Sequence, residues 1–87
     1  MKWTVVWTAN AHKELVNIWL QAGDRQNVTK AANQAELLLK RRPDQVGESR
    51  EQLERILIEW PLTFRYRLIP DDCLVEVLGV WPILSRR

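Results

Sequence analysis

Three arginines in the second half of the chain, Arg55, Arg65 and Arg67, are the side chains best suited to chemistry. A guanidinium group presents a planar fork of donors that fits a phosphate or a carboxylate, and it can stabilise charge that develops on a phosphate during cleavage. The two-residue spacing of Arg65 and Arg67 places both on one face of a strand. The residues alone leave three roles open: binding an RNA phosphate, binding a protein partner, or pairing with a glutamate on a neighbouring strand.

Side chains for acid–base catalysis and for metal binding are scarce. The one histidine, His12, falls early in a predicted helix and is expected at the surface, while Tyr66 falls on the predicted core face of its strand. The acids Asp71 and Asp72 lie in a predicted turn without a nearby histidine, and the single cysteine excludes an internal disulfide. We therefore expect no metal and no other cofactor, so any RNA cleavage would be metal-independent.

Length and composition indicate one small domain over residues 1–87. A chain of this length buries roughly 60 to 65% of its extended surface, which is enough for one core. The net charge of +2 gives no strong basic field and does not by itself indicate nucleic-acid binding. No apolar segment is long enough for a signal peptide or a membrane span, and the single cysteine is typical of a reducing compartment. We expect a cytoplasmic protein that does not contact a membrane.

The N-terminal half predicts a strand followed by a helical hairpin. In KWTVVWT, large apolar residues alternate with their neighbours in the period of a strand. Apolar residues at spacings of three and four then predict helices over residues 10–22 and 25–42, with Thr8 or Asn10 capping the first and Asp24 the second. Pro43 follows three consecutive cations and ends the second helix. Helices joined so closely should form an antiparallel pair.

The C-terminal half predicts three more strands after a polar stretch. PDQVGES is typical of a loop, and SREQLER favours a short helical turn. Alternation then predicts strands beginning near Arg55, at Leu62 and at Cys73, the last two joined by a turn in IPDD. The predicted fold is α+β: an antiparallel sheet of about four strands with the helical hairpin on one face, in the order β-α-α-β-β-β.

The turn in IPDD sets the expected pairing of the last two strands. If Leu68 lies opposite Cys73, antiparallel pairing places Arg65 opposite Glu76. Ile56 and the other apolar residues in phase with it would then face the helices, among them Ile58, Leu62, Phe64, Tyr66, Leu68, Val75 and Val77. An Arg65–Glu76 pair would stabilise the sheet by roughly 0.2 to 1 kcal/mol.

The face of the sheet turned away from the helices, here called the open face, is predicted to combine cations with apolar side chains. The three arginines named first are expected there, together with Leu57, Leu74, Leu78 and Val80. A protein partner supplies both hydrophobic anchors and carboxylates, whereas RNA satisfies the cations alone. The end of the chain adds an apolar segment, residues 81–84, that includes Trp81, and two terminal cations, Arg86 and Arg87. We predict that these residues bind RNA or a protein partner.

The order and spacing of the segments resemble the RelE/ParE superfamily of toxins from bacterial type II toxin–antitoxin pairs. The resemblance is carried by WTANA after the first strand, ELVNIWL in the first helix, LLLKRRP at the end of the second, and PLTFRYRL and VEVLGV in the last two strands. It covers nearly the whole chain. The resemblance implies a helical hairpin packed on a small antiparallel sheet, in a toxin held inactive by a cognate antitoxin protein.

Three activities are compatible with this resemblance. In the ribonuclease branch of the family, basic residues of the last three strands surround mRNA on the ribosome, so the three strand arginines would be the catalytic candidates and Arg86 and Arg87 would assist. Thr63 stands where a basic residue is common, and neither His nor Tyr follows Val80, so the expected acid–base residues are missing. The alternatives are a toxin that binds DNA gyrase and a member that binds only its antitoxin. Whether the chain is an enzyme stays open at this point.

Overall fold

A computed structural model describes residues 2–51 and 53–83. Its elements in chain order are β1 (Thr4–Trp7), α1 (Ala9–Gln21), α2 (Arg25–Arg41), α3 (Pro43–Val46), β2 (Glu48–Glu51), β3 (Glu54–Glu59), β4 (Leu62–Ile69) and β5 (Leu74–Pro82). The α+β class and the helical hairpin are confirmed, and both hairpin helices begin and end within one residue of the predicted bounds. None of the described helices is long and apolar enough to cross a lipid bilayer.

Side-chain caps fix where the two long helices begin. The Thr8 hydroxyl accepts from the amide of Ala11 at 3.1 Å, so Thr8, rather than the alternative Asn10, caps α1. The Asp24 carboxylate accepts from the amide of Asn27 at 3.1 Å and caps α2, as predicted. Each cap satisfies an amide of the first turn that has no partner within the helix.

The sheet has five strands in the order β1-β5-β4-β3-β2, one more than predicted. The additional strand β2 pairs with β3 and lies where the sequence favoured a loop and a helical turn. All four of its residues are exposed, so it carries no apolar alternation that would mark it as a strand. The sheet also differs from the predicted antiparallel one at its other edge, where β1 runs parallel to β5; all other neighbouring strands are antiparallel.

The hydrophobic core lies between the helices and the inner face of the sheet. Its buried members are Ala11, Val28, Ala31, Ala35, Leu39, Leu57, Leu62, Phe64, Tyr66, Leu68, Val75, Val77 and Val80. Trp7 packs edge-on against Phe64 with ring centroids 6.1 Å apart. Trp3 and Trp7 pack against this core, as their alternating positions in the first strand indicate. Trp19 lies at an apolar position of the first helix that also predicts burial, but it is 37% exposed and lies against the guanidinium of Arg25.

The inward and outward faces of β3 are the reverse of the prediction. Leu57 pairs with Phe64 and is buried, so the expectation that it lies on the open face is wrong. Ile58 instead points outward and is 65% exposed. The turn at Trp60 and Pro61 joins Glu59 directly to its partner at the start of β4, and this turn sets the register. A shift of one residue inverts every side chain of a strand.

The predicted pairing of β4 with β5 is also wrong. Residues Pro70–Asp72 form a 3-10 turn and Cys73 adopts a left-handed conformation with φ 48°, so Leu68 pairs with Val75 rather than with Cys73. The register then shifts again between Arg65 and its neighbour Tyr66, where β5 contains an extra residue. This bulge turns Val80 inward, where it is 2% exposed, although the sequence placed it on the open face.

Candidate functional site

The open face of the sheet is ordered in three rows that run across β3, β4 and β5. We name them the charged row, the middle row and the apolar row, and their members are respectively Glu54–Arg67–Glu76, Ile56–Arg65–Gly79 and Ile58–Thr63–Trp81. The apolar row lies beside the β3–β4 turn, and the charged row lies at the opposite end of the strands. The face therefore changes from charged to apolar along the strand direction.

Both arginines of the open face are paired with glutamates. Arg67 Nη2 donates to Glu76 Oε1 at 2.6 Å, and Arg65 Nη1 donates to Glu54 Oε1 at 3.3 Å. The predicted Arg65–Glu76 pair is therefore wrong, because the two registers place Arg67 there instead. Half-exposed pairs of this kind contribute about 0 to 1 kcal/mol, so a partner can replace them. Among the described residues of β3, β4 and β5, the two cations on this face are therefore matched by two carboxylates.

A cleft of about 570 Å³ opens beside the charged row. It is lined by Glu51, Leu53, Glu54 and Arg67. Two carboxylates and one guanidinium give this cleft a negative balance, which opposes entry of a phosphate. This part of the open face, where the sequence predicts arginines that could bind RNA, therefore lacks the excess of cations that an RNA site needs.

Arg55, the third catalytic candidate, does not lie on the open face. It pairs with Tyr66 across β3 and β4 and points to the side covered by the helices. Its Nη2 donates to the carbonyl of Gly47, and its Nε is buried without a hydrogen-bond partner among the described residues. The prediction that Arg55 lies on the open face with Arg65 and Arg67 is wrong. The cause is the one-residue shift of β3 that also buries Leu57.

Arg55 instead belongs to a buried cluster that we call the Tyr66 corner, formed by Pro43, Gly47, Arg55 and Tyr66. The Tyr66 hydroxyl donates to the carbonyl of Pro43 at 2.6 Å. A Cβ atom at Gly47 would lie 2.5 Å from that hydroxyl. The close contact between the backbone of residue 47 and the Tyr66 side chain therefore requires glycine. The corner attaches α3 and the start of β2 to the centre of the sheet, which is a structural role.

Burial raises the pKa of Tyr66 above its ordinary value of 10.0, although the hydrogen bond and the positive charge of Arg55 partly oppose this effect. The hydroxyl therefore stays protonated at neutral pH and donates to Pro43 throughout the physiological range. Tyr66 is fully buried, as the sequence predicts, and does not serve as a proton donor for a substrate on the open face.

The raised pKa of Tyr66 predicts a loss of stability in alkaline solution. The unfolded chain releases the phenolic proton near pH 10, while the folded chain retains it to higher pH, so folding becomes less favourable as pH rises above about 10. Tyr66 is the only tyrosine, so tyrosinate absorbance reports this group alone. We expect its titration midpoint to lie above that of the urea-unfolded chain. Equal midpoints would contradict the burial of Tyr66. The absorbance of the Tyr66→Phe variant, which has no tyrosine, is subtracted as the background.

The apolar row is the most exposed hydrophobic part of the open face. Ile58 is 65% exposed and Trp81 is 41% exposed, whereas Thr63 between them is 7% exposed. The Trp81 ring extends over Gly79, where a Cβ atom would lie 3.9 Å from Cζ3 of the ring. Sequence reasoning missed Ile58 because its face was inverted, and only the length of the β3–β4 turn carried that information.

The remaining predicted binding residues are divided between the core and the surface. Leu57 is buried, and Leu74 and Leu78 are half-buried. Trp81, which the sequence placed in the apolar segment 81–84, is exposed on the open face. Arg86 and Arg87 lie outside the described residues. His12 is exposed on α1, in agreement with the prediction. Within residues 2–51 and 53–83, no group of three or more His, Cys, Asp or Glu side chains is placed to hold a metal ion.

Solved structures share this architecture, although comparison of the sequence with family models and with curated proteins gave no match. A chain of the toxin–antitoxin complex RelBE2 from Mycobacterium tuberculosis matches with a TM-score of 0.79 and 19% identity, covering 94% of this chain and 99% of that chain. The chromosomal ParDE toxin–antitoxin system from P. aeruginosa matches with a TM-score of 0.67 and 19% identity, covering 94% and 97%. The isolated RelE toxin of E. coli matches with a TM-score of 0.61 and 17% identity, covering 98% and 88%. At these identities the likeness concerns the architecture, and the chain has the fold of the RelE/ParE toxins.

Proposed function

We propose that this chain is the toxin of a bacterial type II toxin–antitoxin pair, that a cognate antitoxin neutralises it, and that it acts by binding a protein rather than by cleaving RNA. The shared fold supports the first two parts, because RelBE2 and ParDE are toxin–antitoxin assemblies. The third part rests on one observation: each arginine of the open face has a glutamate partner, and Arg55 lies elsewhere.

The charge arrangement favours a protein ligand over a polynucleotide. A phosphate chain crossing the charged row would meet Glu54 and Glu76 as well as Arg67, so its attraction to the cation would be offset by repulsion from two carboxylates. A protein segment presents carboxylates and cations together and can pair with both. Among the described residues of this face there is also no histidine to exchange protons at neutral pH.

The apolar row supports the same conclusion. Ile58 and Trp81 expose hydrophobic surface on either side of Thr63, and burying such surface stabilises a complex by roughly 25 cal/mol per Å². Aromatic side chains with an apolar neighbour are typical anchors of protein interfaces. RNA bases can stack on Trp81, but they leave the branched side chain of Ile58 without a matching contact.

Growth after induction tests the proposed pairing. Expression of the chain alone is expected to arrest growth, and co-expression of the small protein encoded beside it is expected to restore growth and to yield a stable complex on purification. A plasmid supercoiling assay during the arrest then asks whether DNA gyrase is the target, since inhibited gyrase leaves plasmids relaxed. Normal growth at high expression of a folded chain would contradict the assignment as a toxin.

A further inference from the structure

The bulge in β5 reverses which backbone groups of that strand point toward its neighbour β4. Before the bulge, the carbonyl of Val77 accepts from the amide of Thr8 at 3.1 Å, so it points away from β4 and toward the β1 side. After the bulge, the amide of Ile83 donates to the carbonyl of Pro61 at 2.9 Å, so it points toward the β4 side. These directions alternate along a strand, so the amide of Val80 points away from β4.

Among the described elements, no strand lies on that side to accept from the Val80 amide. β1 ends at Trp7, which pairs with Val77, and the chain then enters α1. Beyond Val77, β5 has β4 as its one neighbour in the described sheet. Val80 is 2% exposed, so water does not reach its N–H group. A buried amide in this position needs an acceptor from outside the sheet.

Glu14 of α1 provides that acceptor. Its Oε1 atom accepts from the Val80 amide at 2.9 Å. The carboxylate passes beside Gly79, where a Cβ atom would lie 3.3 Å from the same oxygen, so a side chain at that position would crowd it. A hydrogen bond to a charged acceptor is stronger than one between neutral groups. Glu14 thus takes the place of the neighbouring strand that β1 provides only as far as Val77.

Pairing without the bulge would exchange two residues between the faces of the sheet. If β5 continued past Val77 without its extra residue, Val80 would lie opposite Thr63, where Trp81 now lies. A shift of one residue turns each side chain to the opposite face, so Val80 would be exposed and Trp81 would point toward the helices. The Val80 amide would then point toward β4, and Glu14 would lose its donor.

We infer that Glu14 is a positioning residue: it holds β5 in the bulged register and thereby presents Trp81, rather than Val80, to the partner protein. The bond from Val80 to Glu14 exists only in the bulged pairing, so it stabilises that register over the other. The inference rests on the proposed function in one respect, which is that the apolar row containing Trp81 binds a protein.

Leucine and glutamine at position 14 separate the hydrogen bond from the bulk of the side chain. Glu14→Leu removes the acceptor, whereas the matched control Glu14→Gln keeps an oxygen that can accept from the Val80 amide. In the isolated chain, we expect the Val80 amide to exchange hydrogen at least about tenfold faster in Glu14→Leu than in Glu14→Gln. The amide of Glu76, which pairs with Arg67 before the bulge, should exchange equally in both. Equal Val80 rates, or equal acceleration of both amides, would overturn the inference.

Binding measurements test whether Glu14 acts through Trp81. The probe is the purified small protein encoded beside this chain. Glu14→Leu is expected to weaken its binding at least about tenfold relative to Glu14→Gln, but by less than about twofold when Trp81 is already replaced by alanine. In the Ile58→Ala background the tenfold loss should persist, because Ile58 lies on β3 and does not depend on the register of β5.

The outcomes distinguish this inference from the proposed function. Equal losses from Glu14→Leu with and without Trp81 would overturn the positioning role and leave the proposed partnership intact. Unchanged binding of the Trp81→Ala variant would contradict the apolar row as the partner surface, and with it this inference. A wild-type chain that does not bind the probe would contradict the proposed antitoxin partnership, and the Val80 exchange rates would then decide whether Glu14 sets the register.

Discussion

Replacing Leu57 by alanine is expected to lower the free energy of unfolding by about 2 to 5 kcal/mol, because the side chain is 5% exposed and a smaller residue leaves a cavity beside Phe64. The same replacement at Ile58, one residue further along β3, should change it by no more than about 0.5 kcal/mol, since that side chain is 65% exposed. Urea unfolding of both variants measures the difference directly.

This pair of variants decides which face of β3 is buried. The sequence alone assigned Ile58 to the core and Leu57 to the open face, so it predicts the opposite result. A large loss of stability in Ile58→Ala with little change in Leu57→Ala would mean that β3 is shifted by one residue. The apolar row would then lose Ile58, and the partner surface derived from it would be wrong. A second readout is binding of the proposed antitoxin, which Ile58→Ala should weaken and the exposed helical control Leu20→Ala should not.

Gly47→Ala is expected to destabilise the protein by about 1 to 3 kcal/mol, because the added methyl group has no room. Its Cβ would lie 2.5 Å from the Tyr66 hydroxyl and 2.8 Å from the backbone carbonyl of Ile56. Tyr66→Phe in the same chain should relieve only the first of these contacts, so the double variant stays less stable than Tyr66→Phe alone. Thermal or urea unfolding measures all three.

Gly23 provides the matched control for this prediction. It lies between α1 and α2 with nothing within 4 Å of a Cβ built upon it, and its φ is not positive. Gly23→Ala should therefore be neutral or raise stability by up to about 1 kcal/mol, through the lower entropy of the unfolded chain. If Gly47→Ala were equally harmless, the Tyr66 corner would be looser than described, and Arg55 would be freer to leave it.

The helical half of the fold was predictable because its signals are local. Spacings of three and four residues define the apolar faces of α1 and α2, and Thr8 and Asp24 mark their first turns. Neither signal depends on which strand lies beside which. The predicted bounds are accordingly correct to one residue.

The faces of the sheet were less predictable because they depend on pairing. In β3, apolar residues occupy both phases, Ile56 and Ile58 in one and Leu57 in the other, so alternation cannot choose between them. The bulge in β5 adds one residue to a strand that is apolar on both faces, which leaves no trace in the sequence pattern. Every misplaced residue of the candidate site, Arg55 and Val80 included, follows from these two features.

The candidate site was therefore predicted in composition more accurately than in geometry. Arg65, Arg67, Glu76 and Trp81 do lie on the open face, but the pairing partner of each arginine differs from the expected one. The glutamate that pairs with Arg65, Glu54, had no role in the sequence analysis because β3 was assigned one residue out of phase. With Arg55 removed and both remaining cations paired, the arginines no longer form the cluster on which RNA cleavage depended.

The half-lives of cellular mRNAs after induction test the central claim most directly. They are to be measured in cells expressing the wild-type chain and in cells expressing the Arg65→Ala/Arg67→Ala variant, once folding of both has been established by circular dichroism. The account predicts growth arrest by the wild-type chain with mRNA half-lives equal to those of uninduced cells. Rapid mRNA cleavage by the wild-type chain that disappears in the double variant would contradict it, and would show that Arg65 and Arg67 leave their glutamates to act on RNA.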